Sequence, residues 1–142
     1  MKKSRSKKYE LILPTDLGRI QEVEDFTDKV AKEGNFSEEE RDSLAIAVTE
    51  TVNNAMIHGN KTDKNKNVYI EYLLSDVDLT IRVRDEGCGF DPEDVADPRD
   101  PENLLKERGR GIFIVKTLMS DVSYVHDGSG TLVTLVKIRK QN

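Results

Sequence analysis

Residues 77–84 alternate without interruption, Val77, Leu79, Ile81 and Val83 on one side and Asp78, Thr80, Arg82 and Arg84 on the other. A period of two predicts a strand with one apolar and one wet face. Just upstream, Val68, Ile70, Tyr72 and Leu74 alternate in the same way, and Ser75-Asp76 leaves room only for a tight turn. The pair reads as an antiparallel hairpin. Any fold built on it must cover one face with something apolar and leave the other to water.

The cover is supplied by helices. After a short strand at Tyr9–Leu13, stopped at Pro14 and so suited to a sheet edge, Thr15 or Asp16 can cap a helix with Leu17, Ile20, Val23, Phe26 and Val30 at helical spacing. Gly34-Asn35 ends it. Ser37 and Glu40 form a capping box. The helix it opens carries Leu44, Val48, Val52 and Ala55 on one face and Glu50, Asn54 and His58, one turn apart, on the other. Gly59 is its natural stop, and Asn60 to Asn67 read as a polar loop.

Residues 91–108 read as a flap, since Pro92, Pro98 and Pro101 forbid regular structure and charges dominate. Gly111–Met119 predicts a helix buried on most of its circumference. Val122–His126 and Thr131–Arg139 predict a closing hairpin around Asp127–Gly130. The order β-α-α-β-β-flap-α-β-β is that of an α/β two-layer sandwich, helices on one face of a mainly antiparallel sheet.

A chain of 142 residues is the size of one domain. Charged residues make up 35% and hydrophobic ones 36%, with no Trp, and no apolar run approaches a bilayer span. The net charge of -5 gives no reason to expect nucleic-acid binding. The basic start, residues 1–8, reads as a flexible tail and not a secretory signal, because Glu10, Pro14 and Asp16 interrupt any apolar stretch. A single cysteine, Cys88, excludes a disulfide framework and suits the cytoplasm. His58 and His126 are too few for a zinc site.

Three clusters carry chemistry. Asp85, at a strand end before Gly87 and Gly89, can accept from the exocyclic amine of adenine and would repel the carbonyl of guanine. Taken alone, the segment is equally an ordinary turn. Gly109 and Gly111, flanked by Arg108 and Arg110, precede a helix whose free amides attract phosphate; a glycine hinge with solvated arginines is the alternative. Asn54 can supply one ligand to a magnesium ion, and Glu50 can take a proton from an attacking oxygen; the alternative is a solvated helix face, against which two adjacent Asn residues in mid-helix count.

In register, Glu50…Asn54-Ala55…His58-Gly59, Asp85-x-Gly87-x-Gly89 and Gly109-x-Gly111 resemble the N, G1 and G2 boxes of the GHKL ATPase superfamily, over about residues 9–139. The Asn-Ala-x-x-His-Gly form and the short domain are similar to the anti-sigma factor serine kinases. The resemblance implies a Bergerat-fold, histidine-kinase-like ATPase domain over residues 9–142 with an ATP lid at about 91–108. It further implies ATP and Mg2+ as cofactors, a sigma factor or other regulatory protein as one partner, and phosphorylation of a STAS-domain anti-anti-sigma protein as the activity. By family, Glu50 is the base, Asn54 the magnesium ligand, Asp85 the adenine contact and Arg108 a γ-phosphate contact. Thr134 lies where the family places a threonine near adenine. A rival reading is an ATP-gated protein-binding module without phosphoryl transfer, although Glu50 has no purpose there. A catalytic domain cut from a histidine kinase fits less well, given the chain's own first strand and helix. Homodimerisation is left open by the sequence.

Overall fold

The structure, a computed structural model, describes residues 6–87 and 107–140, with the backbone alone described for 107–110. Five strands, β1 (Lys7–Pro14), β2 (Asn67–Leu74), β3 (Asp78–Arg84), β4 (Asp121–His126) and β5 (Thr131–Ile138), form one antiparallel sheet in the order β1-β2-β3-β5-β4. Helices α1 (Ile20–Glu33), α2 (Glu38–Asn54) and α3 (Glu107–Leu118) accompany it. The inner face of the sheet carries Leu13, Val68, Ile70, Tyr72, Leu79, Ile81, Val83 and Leu135, which meet Val23, Val30, Leu44, Val48 and Val52 of the helices in one core. The two-layer α/β sandwich expected from the alternation is the fold observed.

The β2–β3 hairpin pairs Tyr72 with Ile81 and Ile70 with Val83. Ser75 closes its turn, its amide donating to the Asp78 carbonyl at 2.9 Å. Arg82 is exposed on the outer face, so the second strand divides as its alternation requires. β1 is an edge strand of eight residues ending at Pro14. It begins at Lys7, so two lysines assigned to the tail belong to the sheet, where Lys7 meets Glu33 and Lys8 meets Glu10 and Glu71.

Asp16, not Thr15, is the cap: its carboxylate accepts from Gly18 N at 2.9 Å and opens a short 3₁₀ turn, Leu17–Arg19, ahead of α1. The turn leaves Leu17 exposed and brings Thr27 into the core, where its hydroxyl meets Tyr72 Oη at 2.7 Å. Burial pushes the Tyr72 phenol up to about 12, so it stays protonated and can serve as a donor in this pair. The capping box of α2 is complete, with Ser37 Oγ accepting from Glu40 N and Glu40 Oε1 from Ser37 N. Glu40 is itself buried and its second oxygen accepts from Lys140 N at 2.9 Å, tying the end of the chain to the start of α2.

One expectation is refined and one corrected. The helical run stops at Gly59, but its last turn, Ala55–Gly59, is π-type, closed by Asn60 N on Ala55 O at 2.7 Å. The wider turn lets both Ala55 and Met56 into the core. Helix α3 is not buried on most of its circumference. It packs chiefly along α2, which buries Val115, with Met119 just beyond the helix end, and leaves Phe113 72% and Ile114 40% exposed.

Candidate functional site

Between the sheet and the two later helices lies a cavity of about 420 Å³, within the range of small-molecule sites. Thr51, Asn54 and Ala55 come from α2 and its π-type turn, Val83 and Asp85 from β3 and its end, Ile112, Val115 and Lys116 from α3, and Tyr124, His126, Thr131 and Val133 from β4 and β5. The valines and isoleucine suit a planar apolar ring; the polar atoms are few and local.

Asp85 is the most constrained of them, 5% exposed at the exit of β3. Its Oδ1 accepts from Thr131 N and from Gly87 N, each at 3.0 Å, while its own amide donates to Thr131 O. Oδ2 rests against Gly59: a Cβ there would lie 2.1 Å from it. No donor among the described residues takes Oδ2. One oxygen is therefore fixed by two amides and the other can accept from a ligand in the cavity.

The glycines around it serve backbone proximity. A Cβ on Gly87 would come within 2.0 Å of the Gly59 carbonyl oxygen, and one on Gly130 within 2.1 Å of the Asp85 carbonyl oxygen. Gly87 thus packs against the end of the π-type turn. Gly130 was legible only as a turn residue.

Glu50 and Asn54 stand one turn apart on α2, both partly exposed. Asn54 lines the cavity, whereas Glu50, one turn before it on α2, is outside the lining. Gly111 sits on both: a Cβ would be 2.6 Å from Glu50 Oε1 and 3.1 Å from Asn54 Nδ2. Neither side chain has a hydrogen-bond partner among the described residues, so both remain available to a ligand. Helix α3 starts at Glu107, four residues before Gly111. Gly109 and Gly111 therefore lie inside its first turns, and the amides without helical partners are those of residues 107–110. The side chains of Arg108 and Arg110, and the whole of Cys88, Gly89 and 91–106, lie outside the described residues.

Thr134 is not at the cavity. It pairs with Arg82 and Ser123, and direct cross-strand partners share a face, so it stands with Arg82 on the outer face of the sheet. The threonine of β5 that lines the cavity is Thr131, three residues earlier and buried. Tyr124 and His126 also line it and were not expected there; His126 Nδ1 lies 3.2 Å from the Gly130 carbonyl oxygen. Their signal was the alternation of β4, which puts both on the inner face.

The arrangement fits an adenine nucleotide, with an apolar slot, a carboxylate oxygen open to an amine, and an unpartnered amide beside a carboxylate. Comparison with known proteins agrees. Residues 13–137 match the family described as Histidine kinase-like ATPase domain. The chain belongs to that family. ATP use comes with this membership. Among its relatives, Serine-protein kinase RsbW of Listeria monocytogenes is 32% identical over 117 residues, 76% of this chain and 72% of that protein. Serine-protein kinase RsbW of Bacillus subtilis is 34% identical over 114 residues, 76% and 71% respectively. In fold, the chain is similar to the RsbU and RsbW domains of a Mycobacterium tuberculosis protein, with a TM-score of 0.70 at 18% identity, 96% of this chain and 33% of that one being covered. A blue-light activated histidine kinase of Erythrobacter litoralis superposes with a TM-score of 0.57 at 18% identity, over 88% of this chain and 61% of that one. Among the described residues, no helix of this ATPase domain is long and apolar enough to cross a membrane.

Proposed function

We propose that this chain is an ATP-dependent serine-protein kinase of the anti-sigma type, which holds a sigma factor and phosphorylates a STAS-domain antagonist of that complex in the cytoplasm. Kinship supports the activity: relatives named serine-protein kinase match three quarters of the chain at about one-third identity. The observation that carries the chemistry is the Glu50–Asn54 pair on α2, Asn54 lining the cavity, both side chains unpartnered and Gly111 against both.

Adenine occupies the slot, with its amine donating to Asp85 Oδ2. Asn54 is the protein's ligand for magnesium. When bound, the ion neutralises charge on the terminal phosphates. No group of three or more His, Cys, Asp or Glu among the described residues could hold a metal ion, so the remaining ligands come from phosphate and water. The free amides of residues 107–110 and the Arg108 and Arg110 charges serve the phosphates. In the transfer, the seryl oxygen forms a bond to the terminal phosphorus and the bond to the β-phosphate's bridging oxygen breaks. ADP leaves, and the hydroxyl proton passes to Glu50.

The test is transfer of labelled phosphate from ATP to a STAS-domain protein. Glu50→Ala is expected to retain nucleotide and partner binding while transfer falls by roughly 10²–10⁴-fold; Asn54→Ala is expected to impair both binding and transfer. A wild-type chain that saturates with Mg-ATP and never labels the partner would replace the kinase with an ATP-gated binding module. Unchanged transfer by Glu50→Ala would instead remove Glu50 from the role of base.

A further inference from the structure

Asn60 is wholly buried, 0% exposed, in a segment that reads as a solvated loop. Its side chain is fully used. Oδ1 accepts from Glu86 N at 2.7 Å, and Nδ2 donates to Thr15 Oγ1 at 2.9 Å and to the Asn67 carbonyl at 3.0 Å. The Thr15 hydroxyl in turn donates to the Lys66 carbonyl at 2.7 Å. The Glu86 carboxylate returns to Asn67 N, which closes a ring of bonds between the π-type turn, the start of β2 and the loop after β3.

That loop needs such an anchor. The sheet ladder carries β3 as far as Arg84, and Asp85 N still reaches Thr131 O. Beyond it, the Glu86 amide is held by Asn60 alone among the described residues. On either side of that bond, Asp85 Oδ2 rests on Gly59, and Gly87 rests on the Gly59 carbonyl. Only an amide side chain offers one acceptor and two donors in one plane; alanine offers none of these and leaves Glu86 N, Thr15 Oγ1 and the Asn67 carbonyl, three polar groups, in need of partners.

We infer that Asn60 is a positioning residue for base selection: it fixes residues 85–87 against the end of α2 so that Asp85 Oδ2 faces the cavity. This rests on the reading of Asp85 as the adenine contact. Asn60 touches no nucleotide and acts through Asp85.

Calorimetry on the full chain with ATP and with GTP tests it, read as the ratio of the two affinities. Asn60→Ala is expected to lower the ATP-over-GTP ratio by about tenfold, the scale of one misplaced charge-assisted hydrogen bond. A purely structural role would lower melting temperature and weaken both nucleotides in parallel, leaving the ratio intact, and that result overturns the proposal. A wild-type chain that does not distinguish the two nucleotides overturns the Asp85 reading instead, and this inference with it. Should Asn60→Ala not fold, NMR on the wild-type chain decides. The Glu86 amide and the Asn60 side-chain amide are expected to shift on adding ADP and to stay put on adding inorganic tripolyphosphate. No shift with ADP overturns the proposal.

Discussion

Gly59→Ala isolates the contact on which the site is built. The Gly59 backbone is not in the left-handed region, where only Gly128 among the described glycines lies. Alanine is therefore conformationally welcome, and helix propensity alone favours it by up to about 1 kcal/mol. The obstacle is Asp85. The new Cβ would stand 2.1 Å from Oδ2, 2.4 Å from Cγ and 3.0 Å from Cβ of that residue, against about 3.5 Å for an unstrained contact. The carboxylate has to retreat by more than about 1 Å, and its two 3.0 Å bonds from Thr131 N and Gly87 N stretch with it.

Overpacking of this kind costs about 1–3 kcal/mol, and weakening one amide–carboxylate bond adds about 1.5–3 kcal/mol. After the propensity gain, the net loss is about 1.5–5 kcal/mol, or roughly 5–15 °C in melting temperature for a domain of this size. ATP affinity should fall at least about tenfold, since Oδ2 no longer faces its donor. Urea and thermal unfolding of Gly59→Ala, Asp85→Ala and the double variant form the decisive cycle. With the carboxylate gone, the two severest contacts vanish and only the 3.0 Å approach to the residue 85 Cβ remains, so Gly59→Ala should cost far less in the Asp85→Ala background, a coupling of about 2 kcal/mol or more. Equal destabilisation in both backgrounds, or a Gly59→Ala chain as stable as wild type, would refute the steric account.

Two further outcomes follow from the same contacts. Asp85→Asn is expected to lose most of the preference for ATP over GTP, because the amide can present a donor where adenine also donates; equal affinities in the wild type, measured by calorimetry, would remove Asp85 from base recognition. For Glu40, burial alone would raise the pKa, but the amides of Ser37 and Lys140 with the Ser37 hydroxyl outweigh it and hold the carboxyl below its usual range. A depressed folded pKa gives stability present above the unfolded value of about 4.3 and lost as pH falls through the folded one. Urea midpoints between pH 7 and pH 3 should therefore drop less steeply in Glu40→Gln than in wild type, and parallel profiles would contradict this.

How much of the molecule was legible depended on whether the signal was periodic or steric. The β2–β3 hairpin, the capping box and the closing hairpin follow from alternation and from local hydrogen bonds between near neighbours, so they were read within a residue or two. The register of β5 was equally legible in principle. Once Val83 and Val133 are opposite each other, Thr131 must face the cavity and Thr134 must face away, and only reliance on resemblance put Thr134 at the base. The π-type turn left no periodic trace, because it changes the pitch for a single turn. Asn60, Gly59 and Gly130 were beyond reach for a different reason. Their roles depend on atoms 26 to 45 residues away in sequence: Glu86 N on Asn60, Asp85 Oδ2 over Gly59, the Asp85 carbonyl against Gly130. A glycine in sequence reports only that the chain needs room there. The identity of the group that takes the room, here one carboxylate held from three sides, belongs to tertiary structure. Asp85 can be singled out in the sequence because its carboxylate chemistry is local to its own side chain; the contacts that hold it are distributed over three loops, each of which alone reads as a turn.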